Sequence, residues 1–136
     1  MVSHLDSAYT ITIGVPKDAT EVFNDHGSKL YRHEGGEYEI RTMVFSAENA
    51  DSAVRKIVGE KQKNMSIMET TRFSMPEYRF AWYDTGEKAL LRADLVMDGT
   101  ICYAVIFSVD EQMGGKYDPL ITEVFSTFGL YFDEGV

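Results

Sequence analysis

Residues 89–109 read ALLRADLVMDGTICYAVIFSV, and this stretch decides the fold. Asp98-Gly99 is the strongest hairpin signal in the chain, because both residue types tolerate the positive φ of a tight turn. The runs on either side, 89–97 and 100–109, therefore read as an antiparallel pair. In the returning run Ile101, Tyr103, Val105, Phe107 and Val109 line one face, and Cys102, Ala104 and Ile106 line the other. Both faces are apolar, so this strand is central and covered on both sides. Helices are the obvious cover.

Two segments have the required period. Ala50, Ala53, Val54, Ile57 and Val58 fall at helical spacing. Asn49 or Ser46 can cap the start, Asp51 suits the first turn, and Arg55, Lys56 and Lys61 suit the end, which predicts an amphipathic helix over 50–63. Tyr117, Ile121, Val124, Phe125 and Phe128 form a second stripe. Asp118 can cap it, Pro119 suits the first helical position, and Gly129 ends it as a C′ glycine.

The rest reads as strands. Residues 10–15 alternate and stop at Pro16, 29–33 form a short strand before Gly35-Gly36, and 38–46 form a third. After the first helix come 66–74 and the aromatic run 78–83, separated by Pro76, with a turn at 84–87. The expected class is α+β, an antiparallel meander flanked by two main helices, an α/β/α sandwich. One domain is expected over 1–136, with flexible ends at 1–9 and 131–136.

Charge and cysteine content narrow the function classes. The net charge is −9, unevenly spread: −2 over residues 1–64 and −7 over 65–136. Such an acidic half repels phosphate backbones and anionic membrane surfaces, so no nucleic-acid partner is expected. A basic protein partner is compatible with it, as is plain solubility. The single cysteine, Cys102, excludes an intrachain disulfide and a multi-cysteine zinc site. Residues 1–6 have no basic region and no apolar run, so they do not read as a signal peptide, and no stretch is apolar for long enough to span a membrane. Cytoplasmic residence is the expectation, or an extracytoplasmic one if a leader or anchor precedes the chain.

No chemistry stands out. Cys102, mid-strand between Ile101 and Tyr103, reads as a buried small hydrophobe. Ser3 and Ser28 lie in no Gly-x-Ser-x-Gly setting. His26 with His33-Glu34 matches no zinc spacing, and His4 stands alone. Gly114-Gly115-Lys116 precedes a helix but lacks the Walker spacing. The carboxylate pairs Asp94/Asp98 and Asp110/Glu111 read as solvated surface. No catalytic, cofactor-binding or metal residue is assigned, and no cofactor is expected.

The aromatic content points elsewhere. Tyr78, Phe80 and Trp82 share one strand face, with Arg79, Ala81 and Tyr83 opposite. Met65, Met68, Met75, Met97 and Met113 fall in the same half, and methionine suits adaptable binding surfaces. Tyr78, Trp82, Tyr83 and Met75 are the candidate partner-binding residues. Exposed edge strands would permit a homodimer.

The order of elements resembles the PsbP-like fold family, which takes in the photosystem II subunit PsbP, the import factor Mog, DcrB-like proteins and EagR chaperones. The residues that carry the resemblance are the Tyr78-Arg79-Phe80-Ala81-Trp82 strand, the 89–97 and 101–109 hairpin, the closing segment 117–128, which looks like the family's terminal helix, and 46–58, which looks like its first long helix. The resemblance implies a helix-flanked antiparallel sheet and a non-enzymatic role as a protein-binding module, adaptor or chaperone-like accessory protein. The chain departs from the plant subunit and the import factor in detail, so no metal ligands and no Ran-contact residues are carried over. The second reading is a small-molecule-binding domain with a pocket between sheet and helix.

Overall fold

The structure is a computed structural model that describes residues 9–25, 27–59 and 65–132. Its strands are β1 (Tyr9–Thr12), β2 (Ala19–Asp25), β3 (Ser28–His33), β4 (Tyr38–Ser46), β5 (Ile67–Arg72), β6 (Met75–Asp84), β7 (Ala89–Asp98), β8 (Ile101–Asp110) and β9 (Gly129–Phe132). Its helices are α1 (Ala50–Val58) and α2 (Asp118–Ser126). Seven strands form one antiparallel sheet in the order β2-β3-β4-β8-β7-β6-β5, and β1 pairs with β9 in a separate ribbon.

As its two apolar faces require, β8 lies at the centre of the sheet, between β4 and β7. On one side Tyr103, Val105, Phe107 and Val109 pack with Tyr38 and Ile40 under Ile121, Val124, Phe125 and Phe128 of α2 and its exit. Ile11 and Leu130 of the β1–β9 ribbon close the same side. On the other side Cys102, Ala104 and Ile106 pack with Phe80, Ala93 and Leu95 under Ala53 and Val54 of α1. Each core is a sheet face sealed by one helix, which is the α+β sandwich the hydrophobic periods require.

Several boundaries move for identifiable reasons. The loop of the central hairpin is Gly99-Thr100 and not Asp98-Gly99, since Asp98 pairs with Ile101 and only Gly99 takes a positive φ of 63°. Helix α1 is capped by the Asn49 side chain, which accepts from the Ser52 amide at 2.8 Å. It stops at Gly59, whose φ of 90° leaves the helical region; the expected extension over 60–63 lies outside the described residues. Gly129 is no helix cap: it opens β9, where a Cβ would meet Thr12 Oγ1 at 2.8 Å. Tyr9, Tyr131 and Phe132, expected in flexible ends, pair across the β1–β9 ribbon. Strand β2 carries no alternation to read, because it is an edge strand with a bulge between Glu21 and Phe23 and almost no buried face.

Pro76 does not separate two strands but sits inside β6, opposite Thr71. The pair Arg72 and Met75 closes a two-residue hairpin, so Thr71–Pro76 is a non-hydrogen-bonded pair. The missing N–H then faces the side where pairing with β7 has not begun. The loop itself, Phe73-Ser74, has both residues at positive φ, 58° and 64°, the conformation of a type I′ turn without its usual glycine or asparagine. A left-handed non-glycine residue costs roughly 1–2 kcal/mol, and glycine in its place returns part of that as unfolded-chain entropy. Ser74→Gly is therefore expected to stabilise the fold by about 0.5–1 kcal/mol, raising the melting temperature by about 2–4 °C. Calorimetry checks this, and an unchanged or lower melting temperature would contradict it.

Candidate functional site: a groove between the second helix and the sheet

Helix α2 has only nine residues, too short to cover the sheet out to β5. The uncovered strip is a groove. One section, of about 450 Å³, is lined by Met68 of β5, Arg79 and Ala81 of β6, Arg92 of β7, and Ile121 and Phe125 of α2. A second section, of about 410 Å³, shares Ala81, Arg92 and Ile121 with the first and runs on to Leu90, Gly114 and Gly115. At the junction Arg92 donates to Asp118 at 2.8 Å. Asp118 thus serves as an ion-pair partner across the groove, and no side chain caps α2.

The floor beside Arg79 holds a charged cluster. Register places Arg79 opposite Asp94 and Glu77 opposite Val96, so both carboxyls stand on the α2 side of adjacent strands. Asp94 is fully buried and Glu77 nearly so. Asp94 Oδ2 lies 3.4 Å from Arg79 Nε and 3.7 Å from Arg72 Nη1, and Glu77 Oε2 lies 3.5 Å and 3.4 Å from the same two atoms. As a carboxylate, Asp94 has no hydrogen-bond partner at either oxygen. Burial first, and then the Glu77 carboxylate beside it, raise Asp94 to about 8 against the lowering pull of the two arginines. With its proton on, Asp94 becomes a donor to Glu77.

Arg72 also ties this cluster to the helix. Its Nη2 donates to the carbonyls of Phe125 at 3.1 Å and Phe128 at 2.7 Å, and its guanidinium stacks over the rings of Phe73 and Phe128. Carbonyls at the end of α2 thereby gain a cationic donor, where the helix dipole favours one. Arg79 is different. Its Nε faces the carboxyl pair, while its Nη nitrogens have no hydrogen-bond partner among the described residues, and the side chain is 44% exposed.

The residues read from the sequence distribute over both sides of the sheet. Tyr78 and Trp82 are half-buried on the α1 side, with Trp82 stacked on Phe80 at 5.6 Å. Met75 is packed into the α2-side core, and Tyr83 donates its hydroxyl to Glu111. The four do not form one patch. Cys102 is buried and its thiol is pushed up to about 11 by that burial, so it stays protonated. Lys116 turns to Glu37 at 3.0 Å and away from the glycine loop. Asp110 caps the turn at 111–113 through the Gln112 amide.

His33 is committed on both ring nitrogens. Nδ1 accepts from the Gly35 and Glu37 amides at 3.2 Å, and Nε2 lies 3.3 Å from Asp18 Oδ2. Its ring stacks on Tyr38 at 4.7 Å, whose hydroxyl donates to Asp18. That hydrogen bond is the largest influence lowering the Asp18 carboxyl. No lone pair is left for a metal or a substrate proton. His26 lies outside the described residues.

What sequence reasoning missed is the cluster at 72, 77, 79 and 94. Asp94, expected with Asp98 on the solvated surface, is fully buried, and its partners are across the sheet. A polar alternation, Arg92-x-Asp94 beside Glu77-x-Arg79, was there to read, but only the β6–β7 register joins the two.

No protein-family model matches the chain, and no curated protein matches it in sequence. Solved structures do match. Cyanobacterial PsbP (CyanoP) from Synechocystis sp. PCC 6803 superimposes with a TM-score of 0.62 at 9% identity, over 96% of this chain and 98% of that one. LpqN of Mycobacterium tuberculosis, described as involved in cell envelope biogenesis, gives 0.58 at 10% identity over 95% and 87%. A crystal structure from Bacteroides thetaiotaomicron VPI-5482 gives 0.51 at 16% identity, over 93% of this chain and 46% of that one. Among the described residues no helix is long and apolar enough to cross a membrane. At these identities the likeness is one of architecture, and the architecture is the PsbP-like fold.

Proposed function

We propose that this chain is a non-enzymatic binding module of PsbP-like fold, an accessory protein whose binding element is the groove beneath α2. The observation that carries this is the groove itself: an apolar trough of a size typical for small-ligand sites, with one arginine whose Nη atoms have no partner among the described residues. The engagement of His33 and the burial of Cys102 support a binding role over a catalytic one, since a nucleophile, a base and an orienting group must converge on a reachable atom.

The test fills the groove. Ala81 is exposed, lies on a strand and lines both sections. Ala81→Phe suits strand propensity and occupies the shared space. Wild type is expected to bind the neutral probe N-phenyl-1-naphthylamine saturably, with a rise in fluorescence, and Ala81→Phe is expected to lose that binding at least tenfold while melting within about 3 °C of wild type. Equal binding by the two proteins would overturn the assignment of the groove.

A protein partner is the second reading. It is favoured by β5, the outermost strand of the sheet among the described residues, where Ile67 and Met68 are exposed, Met68 at 64%, with Phe73 exposed in the turn that follows. An extended segment could pair there by strand addition. That mode expects binding to survive Ala81→Phe and to be lost when Ile67, which is exposed and lines neither section, is replaced by glutamate.

A further inference from the structure

We propose that the groove takes an anionic amphiphile, a single apolar chain ending in a carboxylate, with the carboxylate seated on Arg79 and the chain running along Ala81, Ile121 and Phe125. This rests on the groove being the binding element and adds the charge of its ligand. The argument is one of charge placed against the trend of the whole molecule. Residues 65–136 contain twelve acidic and five basic side chains. Two of those five, Arg79 and Arg92, line the larger section, a third, Arg72, stands behind it, and no acidic side chain lines that section. The one acidic residue lining the second section, Asp118, is already paired with Arg92.

Arg79 has the geometry of an anion receptor. Its Nε lies 3.5 Å from Glu77 Oε2 and 3.4 Å from Asp94 Oδ2, ion-pair distances that tether the guanidinium at that atom. Its two Nη groups have no hydrogen-bond partner among the described residues. A fork of this kind matches a carboxylate bidentately. Thr122 and Ser126 line the same section, the Ser126 hydroxyl donating to the Glu123 carbonyl at 2.6 Å. The rest of the wall is Ser66, Arg92, whose charge is paired with Asp118, and methionine, alanine, isoleucine and phenylalanine side chains that suit a hydrocarbon chain. A basic partner, which the net charge would suggest, does not fit here.

Titration calorimetry below the micellar range, with dodecanoate, dodecanol and dodecyltrimethylammonium as probes, tests the proposal. Dodecanoate is expected to bind about tenfold or more tighter than dodecanol, because a hydrogen bond to a charged group is worth about one decade in affinity or more. The ammonium probe is expected to be the weakest. Arg79→Gln is expected to abolish the preference for dodecanoate over dodecanol, and the ratio of the two affinities within the variant is the readout. Equal affinities for the three probes in wild type, or a full dodecanoate preference in Arg79→Gln, would overturn the anion assignment while the groove reading stands. Binding of no probe at all, with N-phenyl-1-naphthylamine also silent, would overturn both.

Discussion

Arg72→Ala is expected to destabilise the protein by about 3–5 kcal/mol, the cost of removing one partner from a buried ionic cluster. Three losses coincide. Glu77, nearly buried, keeps only Arg79 within ion-pair distance. The Phe128 carbonyl loses its guanidinium donor, and the Phe125 carbonyl keeps only backbone donors at the end of α2. The rings of Phe73 and Phe128 lose the guanidinium packed between the β5–β6 turn and the helix exit. One side chain therefore joins the sheet edge to the element that forms the groove roof. The fall in melting temperature should be about 10–20 °C. Arg72→Lys keeps the charge but presents one ammonium where a planar fork spans two carbonyls and a carboxylate, so it should recover less than half of the loss. A change below about 1 kcal/mol in Arg72→Ala would contradict this account of the cluster.

The second large effect is a pH dependence set by Asp94. Its carboxyl is raised in the folded protein to about 8, against about 3.9 in an unfolded chain. Between those values the folded state holds a proton that the unfolded state has released. Stability from this group is thus fully present below about pH 4 and is lost as pH rises towards 8. The slope reaches at most about 1.4 kcal/mol per pH unit, the figure for one proton. Asp94→Asn keeps the shape, donates to Glu77 and cannot ionise. The unfolding free energy of the variant should therefore rise relative to wild type steadily from pH 5 to pH 8. Urea denaturation at four pH values measures it, and parallel curves for the two proteins would contradict a protonated Asp94. The exposed carboxyls of Asp18 and Glu37, each lowered chiefly by a tyrosine hydroxyl, act below pH 4.5 and in the opposite direction, outside this window.

The architecture was legible because the two faces of β8 are apolar over its whole length and two helical stripes of matching size follow. Those are long-range demands written as local periods. Elements without such a period were not legible. Strand β2 buries almost nothing, and β9 is four residues held by its partner and not by its own pattern. Pro76 read as a break because its effect depends on which neighbour its nitrogen faces, a matter of register.

The site was less legible than the fold. Tyr78 and Trp82 stood out as aromatic, but α1 needs aromatic cover on its side of the sheet, and both pack there. The groove arises from something no residue announces: a helix of nine residues laid over a sheet wider than itself. Arg79, Arg92 and Asp94 look like ordinary alternating polar positions of half-exposed strands. Only the pairing of β6 with β7 and the short roof of α2 turn them into a cationic groove over a buried carboxyl pair.

The most direct test of the groove is an amide chemical-shift map recorded during titration with N-phenyl-1-naphthylamine. Shifts concentrated in residues 79–81, 92–93 and 121–126, saturating together, are the expected result. Shifts confined to α1 and to Tyr78 and Trp82, or no saturable shift anywhere, would contradict it.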